Sequence, residues 1–263
     1  MAEPIRVTII LNDMERTDLA VYGFRSWLLQ EVDFPYEVVL VLFNDRRERF
    51  DVLCEAAHPQ CVPRIHVYDP PEFFNISAAN NLGLHAATGR YVLFANSDII
   101  YPSHYLRSVV RELETHQLAY LQGSRINLTP AQTQQLRPVG AYTPDANFDG
   151  LVGRENRRKL ITGSSPWVVR RDIARNIGGF DANVLCHEDS DFNDRVMHYL
   201  RRHDQQHCLY AICDLFGYHL AHAASELYDL STAAKAIVEA RRERLRLNPQ
   251  STEDIVPTPL DGH

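Results

Sequence analysis

The sequence predicts an α/β fold in which a mostly parallel sheet is covered by helices on both faces. Short, nearly continuous apolar runs alternate with segments of helical periodicity, which is typical of strands buried on both faces. The chain has 263 residues, 45% of them hydrophobic, which is enough for one large α/β domain with a full core. Polar residues follow the apolar runs, at the strand ends where open α/β sheets bind their ligands.

The first half of the chain alternates between the two kinds of element. The apolar runs that predict strands are residues 5–11, 37–43, 64–68 and 91–95. Helical spacing of apolar residues predicts helices at 19–30, 50–57 and 76–87, and Gly89 follows the last of them as a stop. This alternation favours a doubly wound sheet, although periodicity alone does not distinguish one doubly wound fold from another.

The alternation of strands and helices is less regular in the second half of the chain. Helices are predicted at 104–116 and 231–247, strands at 118–124 and 209–215, a return to the sheet at 163–171 and a disordered tail at 248–263. Residues 127–158 contain Pro130, Pro138 and Pro144 without clear periodicity. A long irregular segment inside a compact domain is usually functional, so we expect a binding loop or a lid there.

The composition excludes some classes of protein. The formal net charge of −7 argues against nonspecific nucleic-acid binding, which needs a basic surface. The basic segments 154–159 and 241–246 are expected to be solvated faces, with contact to an anionic ligand as the alternative for the first. Five cysteines without zinc-finger spacing predict free thiols in a reducing compartment. No membrane-spanning run and no signal peptide are recognised, so we expect a cytoplasmic protein and leave peripheral membrane contact open.

The most informative segment is 75–102, NISAANNLGLHAATGRYVLFANSDIIYP. It predicts a helix, a glycine stop, a buried strand and then the polar triplet Asn96-Ser97-Asp98. Because the triplet comes directly after the strand, Asp98 is expected where a metal ion or a phosphate group would bind.

A second motif, residues 177–196, places acids after a glycine turn. Gly178-Gly179 predicts a tight turn that only glycine tolerates well, and Phe180 is expected to anchor it in the core. Four acids follow at Glu188, Asp189, Asp191 and Asp194. Acids at a helix start often serve only as caps or ion-pair partners, which suits the last two. Capping and ion pairing explain Glu188 and Asp189 less well, because the turn before them is so specific.

Together the motifs resemble those of the family 2 glycosyltransferases of the GT-A fold, over roughly residues 5–223. The matching pieces are Asn81-Leu82-Gly83, Ala87-Thr88-Gly89, Asn96-Ser97-Asp98, Gly178-Gly179-Phe180-Asp181, Glu188-Asp189-Ser190-Asp191 and Arg195. The chain departs from the family pattern at two positions. Asn96 replaces the first acid of the Asp-x-Asp motif, and Asn80 stands where an arginine precedes the Asn-x-Gly helix motif.

The resemblance implies roles for the acids and for two of the twelve histidines. Asp98 would bind a divalent cation, Mn²⁺ or Mg²⁺, together with His219, which matches the family position better, or with His222, which is close enough to exchange roles. Asp189 would be the catalytic base and Glu188 would help to bind the acceptor. Which of these adjacent carboxylates does the chemistry is open, and we favour Asp189.

The resemblance also implies a single domain with a donor half at 1–101, a catalytic and acceptor half at 102–230 and a C-terminal helix at 231–247. The candidate donor-binding residues are Asn12, Asp45, Asn81, Arg90, Asn96 and Asp98. Helix capping is an equally good explanation of the first two. Trp167 is expected either to stack on an acceptor sugar or to lie in the core.

The predicted function is inverting transfer of a sugar from a UDP-, dTDP- or GDP-sugar to a hydroxyl group of a glycan, a lipid-linked molecule or a small molecule. The alternative is an inactive protein of the same fold that binds sugar nucleotides. Asn96 and Asn80 favour this alternative, whereas the joint presence of Asp98, Asp189 and His219 disfavours it. A nucleotidyltransferase is disfavoured because the segment after the first strand, NDMERTD, is acidic and lacks glycine.

Overall fold

Strands and helices alternate through the first half of the computed structural model as the sequence predicts. The structure describes residues 3–13, 17–43, 47–68, 75–136, 160–208, 216–222 and 231–247. The first elements are β1 (Val7–Asp13), α1 (Thr17–Leu28), β2 (Tyr36–Phe43), α2 (Glu48–Cys54), β3 (Cys61–Tyr68), α3 (Ile76–Ala86) and β4 (Tyr91–Asn96). Helix α2 is shorter than predicted because the amides of Ala56 and Ala57 bond to carbonyls three residues back and tighten its end.

The second half contains the shortest strands and also the two longest helices of the described residues. Its elements are β5 (Ile99–Ile100), α4 (Tyr105–Thr115), β6 (Tyr120–Asn127), α5 (Pro130–Leu136), β7 (Leu160–Arg170), α6 (Arg171–Asn176), α7 (Glu188–Arg202), β8 (His207–Cys208), β9 (Gly217–His219) and α8 (Ser231–Leu247). The start of the predicted loop at 127–158 forms α5. The rest of that loop, the predicted strand at 209–215 and the tail at 248–263 lie outside the described residues.

The nine strands of the described residues form one sheet, in the order β3-β2-β1-β4-β7-β6-β9-β5 with β8 beside β6. β1 is parallel to β2 and β4, and β2 is parallel to β3. β7 is antiparallel to both β4 and β6. β9 is parallel to β6 and antiparallel to β5. The predicted α/β fold with a mostly parallel sheet is confirmed.

Aromatic side chains fill the core on both faces of the sheet. On the face covered by α1 and α4, Trp27 packs against Tyr101 with ring centroids 4.3 Å apart. On the other face, Phe180 stacks on Phe192 of α7 at 4.2 Å. Such pairs contribute about 0.5–1.5 kcal/mol beyond the burial of their area. Phe180 therefore anchors the glycine turn before it, as the sequence predicts.

Helix α1 approaches the loop after β4 so closely that only glycine fits between them. A Cβ atom on Gly23 would lie 2.0 Å from the carbonyl oxygen of Ser97. Glycine inside a helix costs about 1 kcal/mol relative to alanine, so a tertiary contact explains its presence here. The contact holds the Ser97–Asp98 turn against α1.

No helix of the described residues combines the length and apolar character needed to cross a lipid bilayer. Cys54, Cys61 and Cys186 are free thiols.

Candidate active site

Three side chains that can ligate a metal meet at the carboxyl end of β4. Oδ2 of Asp98 lies 3.0 Å from Nε2 of His222 and 3.5 Å from Nε2 of His219, and these two nitrogens are 3.3 Å apart. One ligand atom of each residue lies within 4.8 Å of the others. A carboxylate oxygen and two imidazole nitrogens at this spacing can hold a divalent cation. The structure thus brings both histidines to Asp98.

Sheet pairing positions this cluster. Ile99 of β5 lies opposite His219 of β9, and the Leu220 amide donates a hydrogen bond to the Asp98 carbonyl oxygen at 2.9 Å. Helix α1 holds the same turn from its other side through the close approach at Gly23. The histidines therefore reach the carboxylate because two short strands pair.

The Asp98 side chain is buried, with 10% of its surface exposed. Burial by itself raises the pKa of Asp98, but hydrogen bonds and charges from His219 and His222 outweigh burial and hold the pKa well below its usual range. The carboxyl group is therefore ionised at neutral pH, which a metal ligand requires.

The acid pair, Glu188 and Asp189, begins α7. His187 before it has φ 63° and ψ 21°, a left-handed conformation that costs a non-glycine residue about 1–2 kcal/mol. Oδ1 of Asp189 accepts a hydrogen bond from the Ser190 amide at 2.7 Å. Burial and the neighbouring Asp189 carboxylate raise the pKa of Glu188 to about 8. Glu188 therefore keeps its proton near neutral pH.

The acid pair and the Asp98 cluster lie at the same edge of the sheet. Helix α7 ends at Arg202 and leads to β8, which lies beside Tyr120 at the start of β6. β6 runs in the same direction as β4 because both are antiparallel to β7. The end of α7 is thus near the amino ends of these strands. Its start, with Glu188 and Asp189, faces the carboxyl ends, where Asp98 lies.

The loop that leads to the acid pair is attached to the first turns of α3. Nδ2 of Asn75 donates to the Ala182 carbonyl oxygen at 2.8 Å, and Oγ of Ser77 donates to the Val184 carbonyl oxygen at 3.0 Å. Helix α3 follows β3 and leads back to the start of β4, so its first turns lie at the carboxyl edge. These bonds hold the loop at that edge.

Asn81 of α3 is bonded to the backbone of Phe180. Its Nδ2 donates to the Phe180 carbonyl oxygen and its Oδ1 accepts from the Phe180 amide, both at 2.8 Å. This amide group therefore fixes the glycine turn. These bonds use one N–H and one lone pair of the amide group, so Asn81 supports the turn, and its role as a donor contact stays a prediction.

The glycine turn leads to a stability prediction. Gly178 and Gly179 have φ of 74° and 69°, so a side chain at either costs about 1–2 kcal/mol in the backbone. A Cβ on Gly179 would also lie 2.3 Å from Oδ1 of Asn81. Because loss of the Asn81 hydrogen bonds adds about 1–3 kcal/mol, we expect Gly179→Ala to lower the free energy of unfolding by roughly 2–5 kcal/mol.

Denaturant titration measures this loss. The control is Gly178→Ala, at an exposed position where the backbone penalty acts alone. Equal losses in the two variants would show that the contact with Asn81 is unimportant.

Polar residues at the ends of β1 and β4 are neighbours. Asn12 and Asn96 are partners in the register of the two strands. Nδ2 of Asn12 donates to Oδ1 of Asn80 at 2.8 Å, and the Asn96 amide donates to Oγ of Ser165 at 3.0 Å. Asn12 and Asn96 are both partly exposed at the edge where Asp98 lies. Asn80, one of the two departures from the family pattern, thus orients Asn12.

Two other predicted site residues do not join the cluster. Arg90 precedes β4 and lines a cavity of about 670 Å³ with Arg170 at the amino ends of the strands. The length of β4, at about 3.3 Å per residue, separates it from a ligand at Asp98, so we remove Arg90 from the candidate site. Trp167 is 9% exposed in the core cluster, which is the second of its two predicted placements. Asp45 lies outside the described residues.

Arg125 is a candidate that the sequence motifs did not reveal. In β6 it pairs with Gly217, two residues before His219, so the alternation along β9 places it on the face of His219. Its buried Nε atom has no hydrogen-bond partner among the described residues. Burial raises the pKa of Tyr101, the Asp98 charge adds to this and the Arg125 charge opposes it, so both charges lie near the Tyr101 hydroxyl group.

The basic segment 241–246 is only partly the solvated face that the sequence predicts. Arg241 is 12% exposed and binds Asp181 at 2.5 Å and also Asp191. Arg242 binds Asp194 at 2.8 Å. The prediction was wrong for Arg241 because its acidic partners lie far away in the chain. Asp191 pairs with Arg195 as well as Arg241, and the partner of Asp194 is Arg242 rather than the predicted Arg195 or Arg201.

The family model for glycosyl transferase family 2 matches residues 24–178, more than half of the chain. A sequence comparison with curated proteins finds no significant match.

Solved structures match over nearly the whole chain. TarS of S. aureus matches with a TM-score of 0.62 at 16% identity, over 95% of this chain and 41% of that chain. TarS 1–349 in complex with UDP-GlcNAc matches with a TM-score of 0.61 at 15% identity, over 90% and 66%. The mannosyltransferase PcManGT of Pyrobaculum calidifontis, in complex with GDP-Man and Mn²⁺, matches with a TM-score of 0.59 at 17% identity, over 93% and 67%.

At these identities the likeness establishes a shared GT-A fold. The chain spans about two fifths of the length of the first TarS structure. Since the family model covers most of the parallel half of the sheet and the Asn96-Ser97-Asp98 turn, the chain belongs to glycosyl transferase family 2.

Proposed function

We propose that the protein is an inverting glycosyltransferase that moves a sugar from a nucleoside-diphosphate donor to a hydroxyl acceptor with the help of a divalent cation. Family membership supports the class of reaction. The observation that carries the proposal is the sheet edge shared by two groups of side chains. One group is Asp98 with His219 and His222, and the other is the acid pair at the start of α7.

Asp98, His219 and His222 would hold the cation. One carboxylate oxygen and two imidazole nitrogens, all within 4.8 Å, fit a divalent transition metal. The imidazoles favour Mn²⁺ over Mg²⁺, which prefers oxygen ligands, and PcManGT was solved with Mn²⁺. When bound, the cation would act as a Lewis acid that stabilises negative charge on the departing diphosphate.

Asp189 is the candidate base. An acceptor hydroxyl group is a weak nucleophile, and a carboxylate within hydrogen-bond reach can remove its proton as the new bond forms. Glu188 holds its own proton near neutral pH, so it is suited to donate a hydrogen bond to the acceptor instead. Attack from the face opposite the leaving group would invert the anomeric carbon.

Asn12, Asn96 and Arg125 are candidate donor contacts. The two amides can bond to the base or the ribose, and the guanidinium group of Arg125 suits an anionic diphosphate. Structural neighbours were solved with UDP, UDP-GlcNAc and GDP-Man, which supports a nucleotide-sugar donor. The acceptor class and the cytoplasmic location stay predictions from the sequence.

An inactive sugar-nucleotide-binding protein is the second candidate. Asn96 favours this candidate, because asparagine lacks the negative charge that an acid at this position would place beside the cation. Incubation with UDP-, dTDP- and GDP-sugars plus Mn²⁺ separates the two candidates through release of the nucleoside diphosphate.

We expect nucleoside diphosphate to be released from one of the donors. Release should stop when the metal is chelated and should be faster when a suitable alcohol is present as acceptor. The anomeric configuration of the product, determined by NMR, tests inversion. Donor binding without release, with every acceptor tested, would favour the inactive protein.

The raised pKa of Glu188 predicts a pH-dependent stability. Glutamate in an unfolded chain titrates near about 4.3, whereas Glu188 in the folded protein titrates at about 8. Because the folded state binds this proton more tightly than the unfolded state, protonation of Glu188 stabilises the fold. This stabilisation is complete below the pKa of the unfolded chain and is lost as the pH rises through 8.

We therefore expect Glu188→Gln to melt above the wild type at about pH 9, by roughly 2–4 °C for each kcal/mol gained. The two proteins should melt alike at about pH 3, where Glu188 is almost fully protonated in both states. Thermal melts across this range provide the measurement. A difference in melting temperature that does not change with pH would contradict the raised pKa of Glu188.

A further inference from the structure

We propose that Arg241, on the C-terminal helix α8, is a positioning residue for the acid pair. It holds together the two ends of the loop that carries Glu188 and Asp189. This inference rests on the proposed function for its kinetic consequence, while the ion pairs that carry it are independent of that function.

One guanidinium group bridges the two ends of the loop. Nη2 of Arg241 lies 2.5 Å from Oδ2 of Asp181, directly after the glycine turn. Nη1 of Arg241 binds Oδ1 of Asp191, in the first turn of α7. The acid pair lies between these anchors in the chain. Because the two nitrogens belong to one rigid planar group, the contact fixes the separation of the two aspartates.

The charges around Arg241 are buried and balanced. Nε of Arg195 donates to Oδ2 of Asp191 at 2.8 Å, and Nη1 of Arg195 donates to the Ile177 carbonyl oxygen at 2.9 Å. The side chains of Asp181, Asp191 and Arg195 are 3%, 1% and 0% exposed. Without Arg241, two buried carboxylates would share one arginine. One loop end would then have to move toward water, because an uncompensated buried charge is costly.

The loop also contains a strained residue that needs external support. His187, directly before Glu188, has the left-handed φ of 63°. Such a conformation persists only where the surrounding structure determines it. Bonds to α3 at Ala182 and Val184 hold the first half of the loop. Arg241 is the contact from α8 that ties the second half to the first.

The proposal predicts a separation of binding from turnover. Arg241 contacts the acid-bearing loop, whereas the candidate cation ligands lie on the β4 turn and on β9. Loosening the loop should therefore misplace the base and leave nucleotide and cation binding intact. A misplacement of about 1 Å can cost about 100-fold in rate.

The test uses the full chain with Arg241→Ala and Arg241→Lys, and Arg242→Ala as the matched control. Arg242 is the next residue, 55% exposed, and pairs with Asp194 outside the loop. Three kinds of measurement are made on each protein: hydrogen exchange of the 181–191 backbone, affinity for UDP and GDP with Mn²⁺, and steady-state kinetics that give kcat and KM for the active donor. Lysine keeps the charge but cannot bridge both acids, so it serves if the alanine variant fails to fold.

We expect both Arg241 variants to exchange faster at 181–191 and to lose about 10- to 100-fold in kcat. Nucleotide affinity and donor KM should stay within about twofold, and Arg242→Ala should match the wild type. Unchanged exchange at 181–191 in a folded variant would overturn the proposal. An equal loss of nucleotide binding and kcat would also overturn the proposal, because it would indicate that the variant has lost structure throughout the protein.

If the wild type turns over no donor, the proposed function fails. The exchange measurement still decides whether Arg241 holds the loop.

Discussion

Replacing Asp189 with asparagine is expected to reduce sugar transfer about 10²- to 10⁴-fold, the range that a positioned general base contributes. Asparagine has nearly the same shape but cannot accept the acceptor's proton. Its side-chain oxygen can still accept the hydrogen bond from the Ser190 amide, so the start of α7 should stay in place. Nucleotide and Mn²⁺ affinity should therefore be unchanged, and the loss should appear in kcat.

The matched control is Asp194→Asn, five residues later on α7. Asp194 pairs with Arg242 at 2.8 Å and has no proposed role in the chemistry. Initial rates of nucleoside diphosphate release, with equal amounts of folded protein, provide the comparison. Wild-type rates in Asp189→Asn together with a large loss in Glu188→Gln would transfer the base role to Glu188.

The second large effect is expected at the metal-ligand cluster. Asp98→Asn should weaken Mn²⁺ binding at least about 10- to 100-fold, the loss seen when even an outer partner of a metal ligand is removed. The variant removes the negative charge from a group whose low pKa keeps it ionised beside two imidazoles. Donor turnover should fall with metal occupancy, because the charge on the departing diphosphate would lose its stabilisation.

Free Mn²⁺ can be measured by electron paramagnetic resonance during titration of each protein. His116→Ala is the control, since this exposed imidazole pairs with Glu112, away from the cluster. Unchanged Mn²⁺ affinity in Asp98→Asn would exclude the Asp98 cluster as the cation site. Undiminished turnover by the wild type after chelation would exclude assistance by the metal.

The fold could be predicted in large part because its signals are local. Buried strands read as continuous apolar runs, so β1, β2 and β4 are visible in the sequence without any tertiary information. The glycine turn was equally visible, since its positive φ values need glycine at two successive positions. The second half was harder to predict, because β5, β8 and β9 are two or three residues long and carry no periodicity.

Some of the candidate site residues could also be predicted from local sequence signals, and others could not. Asp98 was predictable because it follows a buried strand, and the acid pair because it follows a specific turn. Asn81 and Arg90 looked equally suitable in sequence. In the structure the first binds the backbone of Phe180, and the second lies at the opposite edge of the sheet.

By itself, the amino-acid sequence determined the alternation of strands and helices and the positions of polar groups after the strands, since local burial and backbone preference set these features. Only the tertiary structure decided which groups meet: His219 and His222 at Asp98, Asn81 at Phe180, and Arg241 at Asp181 and Asp191. These pairings join residues far apart in the chain. Their stability depends on sheet register and desolvation, which leave no periodic trace in a single sequence.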